Sequence, residues 1–496
     1  MTTFSDTLSN FIKEKKIKIN DMINYVDIDR STFYKIVKGK RNPSNRHIVE
    51  KMIAYLRLSQ KEVDQMWQDY EITILGAYTY FRRKHIKLFL KESITSMYND
   101  TPEILESTPH YQSVKDFPDF FNVIGDYNVN LTISQVLNLE MSREHPLLKI
   151  CVQPDHQFIM SGLNHFIFKN RKAHIEHLFC LDNTESMNAN HLIYNLDYFS
   201  HVMPLLLYGD NYVPYCYYNH IMTKENQMSF YENVMITQDF VFTFTRDCQN
   251  GILFKNQEII QSYQTIFNRY LKETQPLTKL IQYTDYMCYT QDILHNNYQT
   301  PCYSYASQPC ITLIFDPKIF NMRKYIPEDF FNIDEFEKIF YNFANSFREQ
   351  LYDNEFKLLF TPQGLEYFVK EGISDELPFG FDIVCDIEDR LNALKEWRSF
   401  MARYDCLLMI HDDAMPKESR MYFLFSPNVG FISPMTQTGS FYSISIEETS
   451  LISAFYDYLQ NLAEKCAYSK QETIDLFTQY IHYLEAELAK EKEQAQ

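Results

Sequence analysis

Glycine is scarce in this chain: 11 occur in 496 residues, and no two lie closer together than eight positions. The phosphate-binding loops GxGxxG and Walker A and the nucleophile elbow GxSxG all need glycines two to five positions apart. The sequence therefore excludes these nucleotide-binding and hydrolase signatures.

Long apolar runs and paired cysteines are also missing. No apolar run approaches the roughly 20 residues of a membrane span, and Met1 to Asn10 lacks the basic-then-apolar pattern of a secretory signal. The 10 cysteines are scattered singly, without a CxxC pair. We expect a cytoplasmic protein with reduced, buried thiols and no membrane partner.

Positive charge is in deficit overall, but it is concentrated at one end. The formal net charge is −18, whereas residues 1–60 hold 12 Lys and Arg against 6 Asp and Glu, a net of +6 that leaves −24 on the rest. A small basic segment on an acidic body is typical of a DNA-binding head attached to a larger domain.

The first seventy residues show the apolar spacing of five short helices. In the third, Asp29 is a good N-cap, Phe33, Ile36 and Val37 form a narrow apolar stripe, and Gly39 provides the stop. We expect Ser44 to open the fourth helix, and the capping box from Ser59 to Glu62 to open the fifth. The segment therefore predicts one compact all-α bundle.

The stretch I-D-R-S-T-F-Y-K-I-V-K-G-K-R-N-P-S (28–44) resembles the recognition-helix segment of XRE-family (Cro/cI-like) helix-turn-helix regulators. The resemblance extends over residues 1 to about 70. It implies that the helix after the turn enters the major groove of double-stranded DNA and that the residues flanking it contact phosphates. Carried over by position, the base-contact candidates are Arg30, Ser31, Tyr34 and Lys35, and the phosphate-contact candidates are Asn20, Lys38, Lys40, Arg41 and Asn42. Two departures are an Ile19–Asn20 pair where the family often has Gln, and Asp27 in the turn where it has a small residue.

The acidic remainder alternates strand-like runs with amphipathic helices, which predicts a mixed α/β (α+β) body. The strand-like runs are Leu147–Val152, Ile175–Leu181, Val202–Tyr208, Val241–Thr245, Thr312–Phe315, Leu407–Ile410 and Met421–Phe425. Residues 250–271 match 438–459 at a constant offset of 188, which indicates two related halves, although two unrelated strand–turn–aromatic helices would also align. We predict a helix-turn-helix domain at 1–70, a helical linker at 71–99, effector halves at 100–275 and 276–467, and a C-terminal helix at 468–496.

The C-terminal helix carries apolar residues at alternating spacings of three and four. They are Ile474, Phe477, Ile481, Leu484 and Leu488. This seam of about two heptads is short for a coiled coil, so it either dimerises the protein or docks on the body.

Candidate chemistry in the body is thin. His174 and His177 lie three apart on a predicted strand, where their side chains point to opposite faces. Asp155–His156, Asp182 and His411–Asp413 each follow a strand-like run, where ligand groups often lie, but turn-forming carboxylates explain them equally well. No nucleophile has an evident base partner. We therefore predict no catalytic residue, no metal site, no cofactor and no enzymatic activity.

These observations favour a homodimeric, sequence-specific transcription regulator whose body senses an unidentified small-molecule, peptide or protein effector. One alternative is an enzyme of nucleotide or phosphodiester chemistry with a DNA-binding head. Another is a peptide-sensing regulator of the all-helical repeat type, against which the strand-like runs count.

Overall fold

The computed structural model describes residues 3–98, 113–182, 193–219, 232–282, 285, 301–314, 324–325, 333–351, 356–374, 384–411, 414–415, 421–434 and 442–494. They divide into a compact head, residues 3–85, and a body that comprises most of the chain from Ile86 onward. The architecture is the predicted one: a helical N-terminal region, a mixed α/β body and a C-terminal helix.

The head is built from short capped helices, and a longer one follows them. They are α1 (Phe4–Glu14), α2 (Ile19–Val26), α3 (Arg30–Val37), α4 (Arg46–Leu56), α5 (Gln60–Leu75) and α6 (Ala77–Tyr98). The capping box from Ser59 to Glu62 is confirmed. The expected cap at Ser44 is wrong by one residue, because the Asn45 side chain accepts the hydrogen bond from the Ile48 N–H at 3.0 Å.

One apolar cluster holds the head together. Leu8, Met22, Phe33, Val49 and Met66, one from each of the first five helices, are fully buried in it. Each of these side chains comes from the apolar stripe of its helix, so the spacing in the sequence gives the core directly.

The first sheet of the body has eight strands among the described residues, in the order β1-β7-β6-β5-β2-β3-β4-β8. The strands are β1 (Phe120–Ile124), β2 (Leu147–Cys151), β3 (His174–Asp182), β4 (Tyr212–Asn219), β5 (Asn233–Ile236), β6 (Val241–Phe244), β7 (Asn250–Phe254) and β8 (Gln275–Pro276). Its helices are α7 (Asp126–Met141), α8 (Gln157–Lys169), α9 (Tyr194–Leu206) and α10 (Gln257–Glu273). Strands β2, β3 and β4 are parallel, and the other pairings are antiparallel.

The second sheet has seven described strands in the order β12-β11-β10-β13-β14-β15-β9. They are β9 (Thr278–Gln282), β10 (Cys302–Tyr305), β11 (Phe356–Phe360), β12 (Leu407–Met409), β13 (Met421–Ser426), β14 (Val429–Pro434) and β15 (Tyr442–Ile446). The accompanying helices are α11 (Ile333–Leu351), α12 (Pro362–Glu371), α13 (Ile387–Arg403), α14 (Thr449–Lys465) and α15 (Lys470–Gln494). Here β10, β11 and β12 are parallel and the rest antiparallel.

The two sheets share one topology. Read from β1 and from β9, both run edge strand, three-stranded antiparallel meander, then three parallel strands, and the short strand β8 extends the first sheet beyond β4. Strand β7 and helix α10 correspond to β15 and α14 at a shift of 192 residues, from Asn250 to Tyr442 and from Gln257 to Thr449. The sequence match at 188 is therefore four residues out of register. Four residues are two full periods of a strand and close to the 3.6-residue period of a helix. Apolar positions therefore still coincide when the two segments are aligned four residues out of register.

Two predicted strands are wrong. Val202–Tyr208 belongs largely to helix α9, and Ile311–Ile314 is a 3₁₀ turn, while Phe315 lies outside the described residues. Both runs are apolar at nearly every position and buried, and a short run of this kind has no periodicity that separates strand from helix.

The C-terminal helix docks on the body. Phe477, Ile481 and Leu484 are buried in the core of the second half, and the Phe477 ring lies edge-on to Trp397 of α13 at 6.4 Å. The apolar seam is thus used within the chain. Nine of the ten cysteines lie among the described residues; all nine are free thiols, and seven of them are buried.

Candidate nucleic-acid interface

The turn between α2 and α3 depends on Asp27. This residue ends α2 in the left-handed conformation (φ 61°, ψ 53°), and its N–H donates to the Ile23 carbonyl at 3.0 Å. Aspartate tolerates this conformation better than most residues because its short side chain can bond locally. Asp27, which departs from the small residue of the family pattern, is therefore compatible with a tight turn between α2 and α3.

Asp29 starts α3. Its carboxylate accepts a hydrogen bond from the Thr32 N–H at 2.8 Å, and hydrogen bonding to Thr32 lowers the pKa of this carboxyl. The predicted N-cap is confirmed. It orients the first turn of α3, where Arg30 and Ser31 lie.

Helix α3 has an anchored side and an open side. Phe33 and Ile36 are fully buried in the head core, and the Val37 carbonyl accepts from the Ser9 hydroxyl of α1 at 3.1 Å. At 3.6 residues per turn, positions 30, 31, 34, 35 and 38 fall on the opposite side. Of these, Arg30, Ser31, Lys35 and Lys38 are exposed, and Tyr34 is half-buried.

Tyr34 has a second role in this surface. The Arg30 guanidinium lies 5.8 Å from the centre of its ring, and the ring itself packs edge-on to Phe33 at 6.2 Å. The stack connects Arg30 to the buried core through aromatic contacts, which reduces the number of conformations that the long side chain samples.

The segment after α3 is folded back on the helix. Gly39 has φ 66°, and the Lys40 and Arg41 N–H groups both donate to the Lys35 carbonyl, at 2.8 and 3.3 Å. A Cβ on Gly39 would lie 2.8 Å from the Ser5 Oγ. The glycine predicted as the helix stop thus also lets the basic residues of this segment lie against α3.

Arg41 lies closer to α3 than its sequence position indicates. Its Nη1 is 3.4 Å from the Thr32 Oγ1, so the guanidinium lies beside the first half of α3. No spacing rule predicts this contact, because it depends on how the loop folds back. Asn42 is exposed in the same loop, and Asn20 is exposed in the first turn of α2.

Lys18 is a residue that the sequence analysis missed. It is the N-cap of α2, and its side chain makes no capping hydrogen bond to the first-turn N–H groups. A cation next to such N–H groups is a common anion-binding arrangement. The sequence feature that could have identified Lys18 is its position directly before Ile19, the first residue of α2.

Some cations of the head are paired with carboxylates and others are not. Lys15 pairs with Glu62 at 3.0 Å, and Arg46 pairs with Glu71 at 3.6 Å and lies over the Trp67 ring. Within residues 3–98, by contrast, Lys35, Lys38 and Lys40 form no salt bridge. No carboxylate within residues 3–98 pairs with these three ammonium groups, so they are available to attract phosphate groups.

The body candidates do not form a site. His177 is fully buried: its Nε2–H donates to the Val152 carbonyl at 2.8 Å, its Nδ1 accepts from the Tyr212 hydroxyl at 2.7 Å, and burial lowers its pKa to about 4. His174 instead contacts the Asp210 carbonyl at 3.0 Å. The structure thus separates the two histidines.

The described strand-end candidates also have different partners. His156 contacts the Cys248 Sγ at 2.8 Å, and burial lowers the pKa of His156 and raises that of Cys248 to about 11, which leaves both neutral near pH 7. The backbone of Asp182 pairs with the Asn195 side chain. Asp412 and Asp413 lie outside the described residues, and the described part of the chain holds no metal-ligand cluster.

No protein-family model matches this chain, and neither does any curated protein. Among solved structures, the chain is similar to TrmBL2, an archaeal chromatin protein described as showing a novel mode of DNA binding, at 14% identity over 45% of this chain and 70% of that one, with a TM-score of 0.22. It is also similar to a polyphosphate kinase from Porphyromonas gingivalis, at 10% identity over 78% of this chain and 60% of that one, also with a TM-score of 0.22. Scores this low bear on neither fold nor function. No helix in the described ranges is long and apolar enough to span a membrane.

Proposed function

We propose that this chain is a homodimeric, sequence-specific DNA-binding transcription regulator that acts by binding rather than catalysis. The observation that carries the proposal is the two-sided character of α3. Phe33 and Ile36 fix one side in the core, while Arg30, Ser31 and Lys35 are exposed on the other. A short basic helix presented this way after a tight turn matches the recognition helix of helix-turn-helix proteins.

In this proposal, Arg30, Ser31, Tyr34 and Lys35 contact base edges. Lys38, Lys40, Arg41 and Asn42, together with Asn20 and Lys18 at the start of α2, contact phosphates. Arg guanidinium binds guanine O6 and N7 as a bidentate donor, whereas Lys ammonium and Asn amide groups suit phosphate oxygens. The acidic body, which we propose senses an effector, limits non-specific adhesion to DNA because it repels the phosphate backbone.

The test is selection of duplexes from a random pool by the full-length protein, followed by fluorescence anisotropy at several salt concentrations. We expect an enriched motif with two half-sites about one helical turn, ~34 Å, apart. Arg30→Ala, Lys40→Ala and the control Lys61→Ala, which removes the same charge from the start of α5, are then compared on it. Failure to enrich any motif, or equal effects of all three substitutions, would contradict the proposal.

A further inference from the structure

An apolar edge strand is exposed on the body. Strand β1 lies at one end of the first sheet and pairs only with β7 among the described strands. Phe120 is 67% exposed, Ile124 70% and Tyr127, just beyond the strand, 72%; these are the three most exposed large apolar side chains in the described part of the chain. Large exposed apolar side chains that lie this close together in the chain are typical of an interaction surface.

The opposite face of β1 is fixed in the core. Val123 is buried, and the Phe121 ring stacks with Phe117 at 6.2 Å. The strand therefore has a fixed position, and its alternation places Phe120, Asn122 and Ile124 together on the exposed face.

The backbone hydrogen bonds show which groups face outward. The Gly125 N–H donates to the Gln249 carbonyl and the Lys255 N–H to the Asp119 carbonyl, both at 2.8 Å. Because bonding to one neighbour alternates along an antiparallel strand, the odd-numbered residues of β1 bond to β7. The N–H and C=O groups of Phe120, Asn122 and Ile124 then point to the free edge, where the Ile124 carbonyl accepts from the Asn128 side chain at 2.8 Å.

Nothing in β1 opposes pairing with another strand. Edge strands that must stay single usually carry a charged residue or a proline, and residues 120–124 have neither, although the chain carries a net charge of −18. The other natural dimerisation element, the seam of α15, is already packed against the body.

We propose that β1 pairs in antiparallel fashion with β1 of a second copy of this chain, with Asn122 opposite Asn122. In this register Phe120 of each copy lies opposite Ile124 of the other copy. The outward N–H and C=O groups of the two strands face each other, and the Ile124 carbonyl, which already accepts from the Asn128 side chain, takes the N–H of the other copy's Phe120 as a second donor. No charge meets a like charge directly across the pair. This inference rests on the proposed function in one respect: it identifies the surface through which the proposed homodimer forms.

The exposed apolar surface of β1 is small for a dimer interface. Phe120, Ile124 and Tyr127 expose on the order of 400 Å² per copy, given the 150–250 Å² that an aromatic side chain can bury. A standard interface buries about 800 Å² per partner, so β1 supplies roughly half of one. Interfaces below the standard size are typical of transient complexes, so we expect a reversible dimer that is observable at micromolar concentrations.

The test uses charges at the two-fold axis. Sedimentation equilibrium of the full chain without DNA, across micromolar concentrations, should show a reversible dimer. Asn122→Lys and Asn122→Asp should each weaken dimerisation roughly hundredfold, because two like charges then face each other. An equimolar mixture of the two variants should dimerise again, because Lys then faces Asp. Gln261→Lys adds the same charge at an exposed position of α10, in the same half of the body as β1. It should dimerise as wild type does.

A monomeric wild-type chain overturns the proposal, and so does an Asn122→Lys variant that still dimerises normally. A mixture that stays monomeric also overturns it, because residues 122 of the two copies then do not face each other. Far-UV spectra and melting temperatures equal to wild type show that the variants fold. Binding of wild type to a duplex with a single half-site is measured in parallel. If wild type does not bind this duplex, the DNA-binding proposal is contradicted independently of the dimer.

Discussion

The backbone N–H of Lys40 donates to the carbonyl oxygen of Lys35, with 2.8 Å between the two atoms. This bond joins the loop after α3 to the last turn of the helix. The loop cations and the exposed side of α3 therefore form one surface of fixed geometry. In the proposed DNA complex, this arrangement would let the phosphate contacts of the loop position the base contacts of α3.

Arg30→Ala should reduce affinity for the selected motif by ~1–3 kcal/mol and leave affinity for random duplexes nearly unchanged. The reason is that a base contact is lost only where the correct base is present. Anisotropy with cognate and scrambled duplexes at one salt concentration measures the difference. Equal losses on the two duplexes would show that Arg30 contacts phosphates instead.

Lys40→Ala should weaken binding to both duplexes by a similar factor. Its ammonium forms no salt bridge within residues 3–98, so a phosphate contact would release about one counterion. The slope of log K against log salt concentration should become shallower by about 1. An unchanged slope, as expected for Lys61→Ala, would remove Lys40 from the interface.

Gly39→Ala should destabilise the head by about 1–2 kcal/mol, because a side chain at φ 66° is strained. The new Cβ would also crowd the Ser5 Oγ. Hydrogen exchange of α3 amides measures the loss. Adding Ser5→Ala should relieve the crowding but not the strain, so only part of the stability should return; full recovery would contradict the role of φ.

Phe477→Ala should lower the free energy of unfolding by about 3–5 kcal/mol, the usual cost of removing a buried aromatic ring. The ring is fully buried against Phe360 and Trp397. Urea denaturation measures this, and Tyr483→Ala, on the exposed side of α15, is the control. A variant of normal stability that no longer dimerises would show that the helix serves the dimer instead.

The head was largely predictable from the sequence because local signals determine it. The stripe of Phe33 and Ile36, the cap at Asp29 and the stop at Gly39 each act within one or two turns, and the structure contains all of them. The approach of Arg41 to Thr32 was not predictable, since it follows from the folded loop. The DNA-contacting roles stay predictions that rest on the resemblance.

The body shows the opposite situation. Its class followed from the alternation of runs, but Val202–Tyr208 was assigned the wrong element because burial on all sides removes periodicity. Strand β1 was missed for a related reason. Its exposed positions include the apolar residues Phe120 and Ile124, so the sequence lacks the apolar–polar alternation of a half-buried strand. Its partner β7 lies about 130 residues further along the chain, and no local rule connects them.

His177 should make the stability of the body depend on pH in a defined window. The folded state holds this imidazole neutral, with a pKa of about 4 against an ordinary value of 6.5, because it is fully buried. Below pH 6.5 the unfolded chain binds a proton that the folded chain does not, so stability falls as the pH drops from 6.5 to 4. The total loss is roughly 3 kcal/mol.

Urea denaturation from pH 8 to pH 4 tests this dependence. Between pH 8 and pH 4, His177→Gln should lose roughly 3 kcal/mol less stability than wild type. The variant is nevertheless less stable than wild type at pH 8, because it loses hydrogen bonds. Tyr212→Phe removes the hydroxyl that donates to His177 and keeps the buried imidazole. It should therefore be destabilised at pH 8 yet retain the full pH dependence. Parallel stability profiles for wild type and His177→Gln would mean that the imidazole is protonated equally in the folded and unfolded chains.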